Sequence, residues 1–250
     1  MQHPFRTRLT GVVTAAGLAL VAASSVPATA EDKPGPDGWV QLFNGKDLTG
    51  WKLHPDPNKG QIKKVIEVKD GGKLVGYDAE TKDGKTTHLW RVENGMLIGS
   101  GPASHLFSER DDYDNFHYRV EAKINDKGNS GQYFRTQFGP GFPKGYEAQI
   151  NATHGDKIRT GSLYPSFGKL SESDRAKILV LNTAPHGPDE FFTQEVIADG
   201  PHIRILVNGK QTIDWTDPNN TFTKGHFALQ GHDPGTVVMF KKIEYKPIKK

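Results

Sequence analysis

Residues Gly128 to Ile150 read GNSGQYFRTQFGPGFPKGYEAQI. Two short alternating runs, Gln132–Gln137 and Tyr146–Ile150, flank Phe138-Gly139-Pro140-Gly141-Phe142-Pro143-Lys144-Gly145, a connection dense in glycine and proline. Alternation with period two bounded by turn residues is the signature of paired β-strands. Residues two apart on a strand share a face. The spacing therefore predicts Tyr133, Arg135 and Gln137 on one side of the first strand. On the second it predicts Glu147 and Gln149 together, opposite Tyr146, Ala148 and Ile150. A cation, an acid and amides on adjoining strand faces would form a polar floor on a β-sheet.

The rest of the chain extends the same pattern. Phe116 to Ile124 alternates apolar even positions with polar or charged odd ones, as a half-buried strand does. Asn44-Gly45, Asn94-Gly95 and Asn208-Gly209 each separate strand-like runs, and Asn-Gly is a strong short-range hairpin signal. Residues 52–88 are turn-rich but carry two alternations, Val65–Val68 and Lys73–Tyr77, that suggest a further hairpin. Trp39 and Trp51 read as packing residues. Residues 151–170 read as loop, and Ser171 to Lys177 reads as one helical turn with a serine or aspartate cap. So many strands joined by short turns predict an all-β fold, two antiparallel sheets packed as a jelly-roll sandwich.

Of the 250 residues, the first thirty read as a signal peptide: Arg6 and Arg8, an uncharged apolar run from Leu9 to Val26, then Ala28-Thr29-Ala30. Cleavage is expected after Ala30, with residues 31–37 a linker and residues 38–250 a single domain. The expected location is the periplasm or the medium. No later stretch approaches the ~20 apolar residues of a membrane span. Losing residues 1–30 removes two arginines and no acid, so the chain's 32 basic and 29 acidic residues become a nearly neutral mature protein. That balance gives no reason to expect nucleic acid or an anionic membrane as partner. Cysteine is absent, which excludes disulfides and thiolate chemistry.

Leu42-Phe43-Asn44-Gly45-Lys46-Asp47-Leu48-Thr49-Gly50-Trp51 resembles the opening of the 3-keto-disaccharide hydrolase family. The resemblance continues through Trp90–Gly95, Tyr113–Phe116, Gly128–Gly131 with Tyr133–Arg135, Gly145–Ile150, Thr160–Tyr164, Val207–Gly209 and Ala228–Gln230. It implies a concanavalin A-like lectin/glucanase sandwich, whose concave sheet carries carbohydrate, with a structural calcium common in such folds. A sugar or glycoside is the implied partner.

A ketone at carbon 3 acidifies the hydrogen on carbon 2. Cleavage by elimination then needs a base, a group that stabilises the enolate oxygen and an acid for the leaving group. Glu147 is the candidate base. Arg135 is the candidate for the enolate, since guanidinium offers several fixed donors. His232 or His105 would protonate the leaving group, because histidine titrates near neutral pH. Gln149 and Gln230 would orient sugar hydroxyls, and Tyr133 or Tyr164 would offer a ring to the sugar. Against this stands a plainer expectation, that Arg135 and Glu147 form a cross-strand ion pair and the domain binds carbohydrate without cleaving it. Ordinary glycosidases need two carboxylates, and Glu147 has no acidic neighbour in sequence. His154-Gly155-Asp156 and His232 with Asp233 are candidate ligands for a divalent metal, calcium or another, though no spacing is diagnostic. The oligomeric state has no signature in the sequence.

Overall fold

The computed structural model describes Met1, residues 33–54, Pro57 and residues 60–249. The expected signal peptide and its cleavage site lie outside the described residues. No described helix is long and apolar enough to cross a membrane.

The chain forms two antiparallel sheets. The larger has ten strands, in the order β13 (Lys210–Thr216), β12 (His202–Val207), β11 (Phe192–Asp199), β8 (Phe116–Ile124), β15 (Val238–Pro247), β6 (Met96–Gly99), β5 (Thr86–Glu93), β4 (Lys73–Thr81) and β3 (Ile62–Asp70). Its tenth, β1 (Val40–Gln41), pairs with β15. The smaller sheet runs β10 (Lys144–Ile150), β9 (Ser130–Gln137), β14 (His226–Gly231), β7 (Ser104–Ser108) and β2 (Trp51–Leu53). The one helix among the described residues, α1 (Glu172–Lys177), is capped by Ser171, whose hydroxyl accepts from Asp174 N–H.

Local chemistry accounts for the hairpins. Asn94-Gly95 between β5 and β6, and Asn208-Gly209 between β12 and β13, all take positive φ, as a two-residue turn matching the strand twist requires. The alternation along β8 is fully realised, every even residue from Phe116 to Ile124 being buried.

The core lies between the sheets. Phe227 of β14 stacks on Tyr118 of β8 at 4.0 Å, and Phe134 of β9 meets Phe116 of β8 edge-on at 6.0 Å. Leu106, Phe134, Tyr146, Ala148, Ile150, Phe227 and Leu229 all join this core, so one face of the smaller sheet looks inward. Phe107, Tyr133 and Ala228 instead form a separate apolar cluster on the opposite face. That outer face carries the site.

Candidate functional site

Strand register sets out the floor. Glu147 pairs with Tyr133, Tyr133 with Ala228, Ala228 with Phe107, and Phe107 with Lys52. One row thus crosses all five strands, with a carboxyl at one end, an ammonium at the other and apolar groups between. In the adjoining row Gln149 pairs with Gly131, and Gln230 pairs with His105. The proline- and glycine-rich connection between β9 and β10 borders this face, tied down where His54 Nε2 donates to Gly141 O at 2.8 Å.

Glu147 is only 3 % exposed. Burial pushes its carboxyl from the usual 4.5 up to about 8, with the Tyr133 hydroxyl opposing the shift and the nearby Asp156 charge adding to it. Gln230 Nε2 donates to Tyr133 Oη at 3.2 Å, which leaves the Tyr133 proton for the Glu147 carboxylate. The carboxylate lies over Gly131: a Cβ there would stand 2.3 Å from Glu147 Oε1. Gly131→Ala should therefore push the acid aside while the strand still forms. A loss of about 10²-fold in any turnover that depends on Glu147, with the far-ultraviolet circular dichroism unchanged, is the expected outcome.

Glu147 opens into a small cavity of about 100 Å³, whose walls include Gln149, Gln230, His154, Asp156, Tyr164 and His232. The second wall is built by the 151–170 loop. Arg159 fixes it, donating from Nη1 to Asn151 Oδ1, His154 O and Asp156 O, and from Nε to Asn182 O. Tyr164 N–H bonds Glu147 O, so this segment runs beside β10. The Tyr164 hydroxyl donates to Asp156 Oδ2 at 3.0 Å, and burial together with that carboxylate pushes it up to about 12. Asp156 is the acidic neighbour of Glu147 that sequence spacing did not reveal.

His232 and His154 form the third wall, their ring centroids 5.6 Å apart. His232 Nδ1 bonds Asp233 Oδ2 at 2.8 Å, and Asp233 also accepts from Gly235 N and Thr236 Oγ1. Burial would raise the Asp233 carboxyl, but the His232 bond and those donors hold it below the usual carboxylate range. His154 Nδ1 accepts from Asp156 N–H at 3.1 Å. Ligand atoms of His154, His232 and Asp233 lie within 4.8 Å of one another, a group able to hold a metal ion. Two imidazoles and a carboxylate suit a zinc- or manganese-like ion; calcium prefers oxygen ligands. The calcium expected from the fold resemblance is thus not what this donor set favours.

His105 sits farther along the floor, on β7, its ring 5.6 Å from that of Tyr133. Burial, with His54 and His232 adding to it, lowers its pKa to about 3. It therefore stays neutral and is no proton donor to a leaving group near neutral pH.

Arg135 is not in this site. β9 carries one residue more than either neighbour here: Phe134 and Gln137 face Tyr146 and Lys144, while Tyr133 and Thr136 face Ala228 and His226. Arg135 adopts φ 51°, the left-handed geometry of a bulge. The extra residue reverses the alternation, so Arg135 points inward with its guanidinium over the Phe116 ring. It donates to Asp114 O, Gly200 O and Phe222 O. The expected shared face of Arg135 with Tyr133, and any ion pair with Glu147, are corrected by this bulge.

The family profile described as the 3-keto-alpha-glucoside-1,2-lyase-like domain matches residues 38–246. The chain belongs to this family. Among solved structures it is similar to a candidate glycosyl hydrolase of Parabacteroides distasonis, at 20 % identity and TM-score 0.56, covering 85 % of this chain and 95 % of that one. A second candidate glycosyl hydrolase from the same organism shares 18 % identity at TM-score 0.53, over 84 % and 99 % of the two chains. The carbohydrate recognition domain of Emp47p aligns at TM-score 0.50 with 10 % identity, over 88 % and 99 %. The all-β concanavalin A-like sandwich is thereby the fold of this lyase-like domain. A comparison with curated protein sequences returns no match.

Proposed function

We propose that the protein is an exported enzyme that cleaves 3-keto-glycosides by elimination and rehydration, with Glu147 as the base. The observation that carries this reading is the Glu147 carboxyl, buried and raised to about 8, opening into a polar cavity. A base with pKa near the working pH combines basicity with availability. Glu147 takes the proton from carbon 2, the electron pair moves toward the carbon-3 ketone oxygen, and the enolate collapses to expel the oxygen at carbon 1. His232, its ring fixed by Asp233, delivers a proton to that oxygen. Water then adds across the new double bond between carbons 1 and 2. Gln149 lines the same cavity and supplies an amide for sugar hydroxyls.

A divalent ion held by His154, His232 and Asp233 would supply positive charge for an enolate oxygen, the role Arg135 does not fill. Holding it at His154 Nε2 costs the ring its bond from the Asp156 amide, since neutral imidazole has one lone pair. It also takes His232 out of proton transfer. Thermal shifts separate the two uses. A rise in melting temperature with manganese or zinc but not calcium, abolished in His232→Ala, is the result expected of a metal seat.

Asp156 motivates a second reading, direct hydrolysis by a carboxyl pair with Glu147 as the acid. The deciding experiment incubates the protein with a 3-keto-disaccharide and, separately, with the unoxidised disaccharide. Release of monosaccharide from the keto compound alone is expected. Release from the unoxidised sugar supports the carboxyl pair, and binding of either without release supports a carbohydrate-binding module.

A further inference from the structure

Among the described residues three buried side-chain atoms lack a hydrogen-bond partner: His105 Nε2, Gln230 Oε1 and Tyr118 Oη. Tyr118 belongs to the core between the sheets, and nothing in the structure explains its orphaned hydroxyl. The other two stand opposite each other in register on β7 and β14, on the outer face of the smaller sheet. His105 is 8 % exposed and Gln230 2 %. Buried polar groups are almost always paired, because an unmet one forfeits its hydration for nothing. Gln230 also lines the cavity beside Glu147, and two orphans side by side at its edge point to a ligand.

The chemistry of the missing partner follows from what each group has left. The Gln230 amide is oriented by Tyr133, whose hydroxyl serves the Glu147 carboxylate and so must accept from Gln230 Nε2. Gln230 Oε1 then remains as an acceptor that needs a donor. His105 Nε2 belongs to a neutral ring, which offers either a proton or a lone pair. A ketone oxygen only accepts and cannot serve Gln230. An alcohol donates to Oε1 and accepts from Nε2–H at once. Tyr133, Ala228 and Phe107 are buried beside the pair and hold it in place, while the exposed Phe142 ring stands 6.4 Å from that of His105.

We infer that His105 and Gln230 form a seat for one alcohol group of the bound sugar. The inference rests on the ketosugar reading above and deepens it: the substrate must carry a free hydroxyl at this position, close to the carbon that Glu147 deprotonates. Glu147, Tyr133 and Gln230 are consecutive members of one hydrogen-bonded chain, so the seat lies within the reach of a single pyranose or its neighbour. His105 becomes a positioning and specificity group rather than an acid.

The test uses the full mature protein carrying Glu147→Gln, which keeps the ligand intact, and measures affinity by calorimetry. The ligands are a 3-keto-disaccharide and a series of its analogues each lacking one hydroxyl. One analogue should bind about 10–100-fold more weakly than the parent, because it leaves both buried groups unmet. Adding His105→Leu or Gln230→Met should weaken the parent by a similar factor and erase the difference for that analogue. His105→Leu alone should also raise the melting temperature of the sugar-free protein, since it removes an unmet polar group. Equal binding of all analogues, a penalty that persists in both variants, or a lowered melting temperature for His105→Leu overturns the seat and leaves the ketosugar reading in place. Absence of both binding and turnover for any ketosugar overturns that reading, and the seat with it.

Discussion

Glu147→Gln should lower turnover of a 3-keto-disaccharide by about 10²–10⁴-fold, the usual contribution of a positioned general base, while affinity stays within a few-fold. Glutamine keeps the shape and can still bond Tyr133, so the floor is retained and only the proton acceptor is lost. The pH dependence is equally specific. With the carboxyl at about 8, turnover of the native enzyme should climb as pH rises toward that value, because only the ionised form accepts a proton. A native profile already flat at pH 5–6 would remove Glu147 from the role.

Stability should move the opposite way. The folded carboxyl holds its proton more tightly than the unfolded one, whose usual value is 4.5. The protein is therefore most favoured below about 4.5 and loses that contribution as pH rises toward 8, by an amount on the order of a few kcal/mol. Glu147→Gln has no such proton to lose. Its melting temperature relative to the native protein should thus rise between pH 5 and 8 and then level off. Loss of turnover together with gain of stability is the mark of a group buried for function.

Much of the fold was legible because its signals are local. Asn94-Gly95 and Asn208-Gly209 specify their turns by backbone preference alone, and the alternation from Phe116 to Ile124 reports a strand with one buried face. Ser171 announces its helix by the bond it makes three residues on. What the sequence does not show is which distant strands pair within a sheet; β15 joins β8, β6 and β1 from far apart in the chain.

The site divides along the same line. Glu147, Gln149 and Tyr133 lie on the outer floor as alternation predicts, Gln230 stands beside them, and Tyr164 and His232 join them in the walls. Asp156 and His154 enter only because Arg159 and Asn151 fold their loop, a purely tertiary effect. Arg135 fails for a different reason. One extra residue in β9 leaves no compositional trace except at its neighbours. Gly225 is such a trace, since a Cβ there would come within 2.6 Å of the Arg135 carbonyl carbon.

That displaced arginine gives the second large expected effect, on stability. Arg135 is 1 % exposed. Nε and Nη2 donate to Asp114 O at 2.9 and 2.6 Å, and Nη1 donates to Gly200 O at 2.8 Å and Phe222 O at 3.1 Å. Three carbonyls from three separate loops thus converge on one planar group. Arg135→Met keeps much of the apolar stem but strands those carbonyls, and each unmet buried acceptor costs about 1–3 kcal/mol. Water entering the adjoining cavity of about 220 Å³ recovers part of this, so a net loss of about 3–5 kcal/mol is expected in urea unfolding. Arg135→Lys should recover little, because one ammonium cannot span three directions fixed by a guanidinium fork. Ketosugar turnover per folded molecule, measured well below the melting temperature, should remain within a few-fold of native for both variants. An undiminished unfolding midpoint with turnover lowered 10²-fold would instead place Arg135 beside the substrate. The bulge at φ 51° argues against that outcome, because it aims the guanidinium through the sheet and away from Glu147.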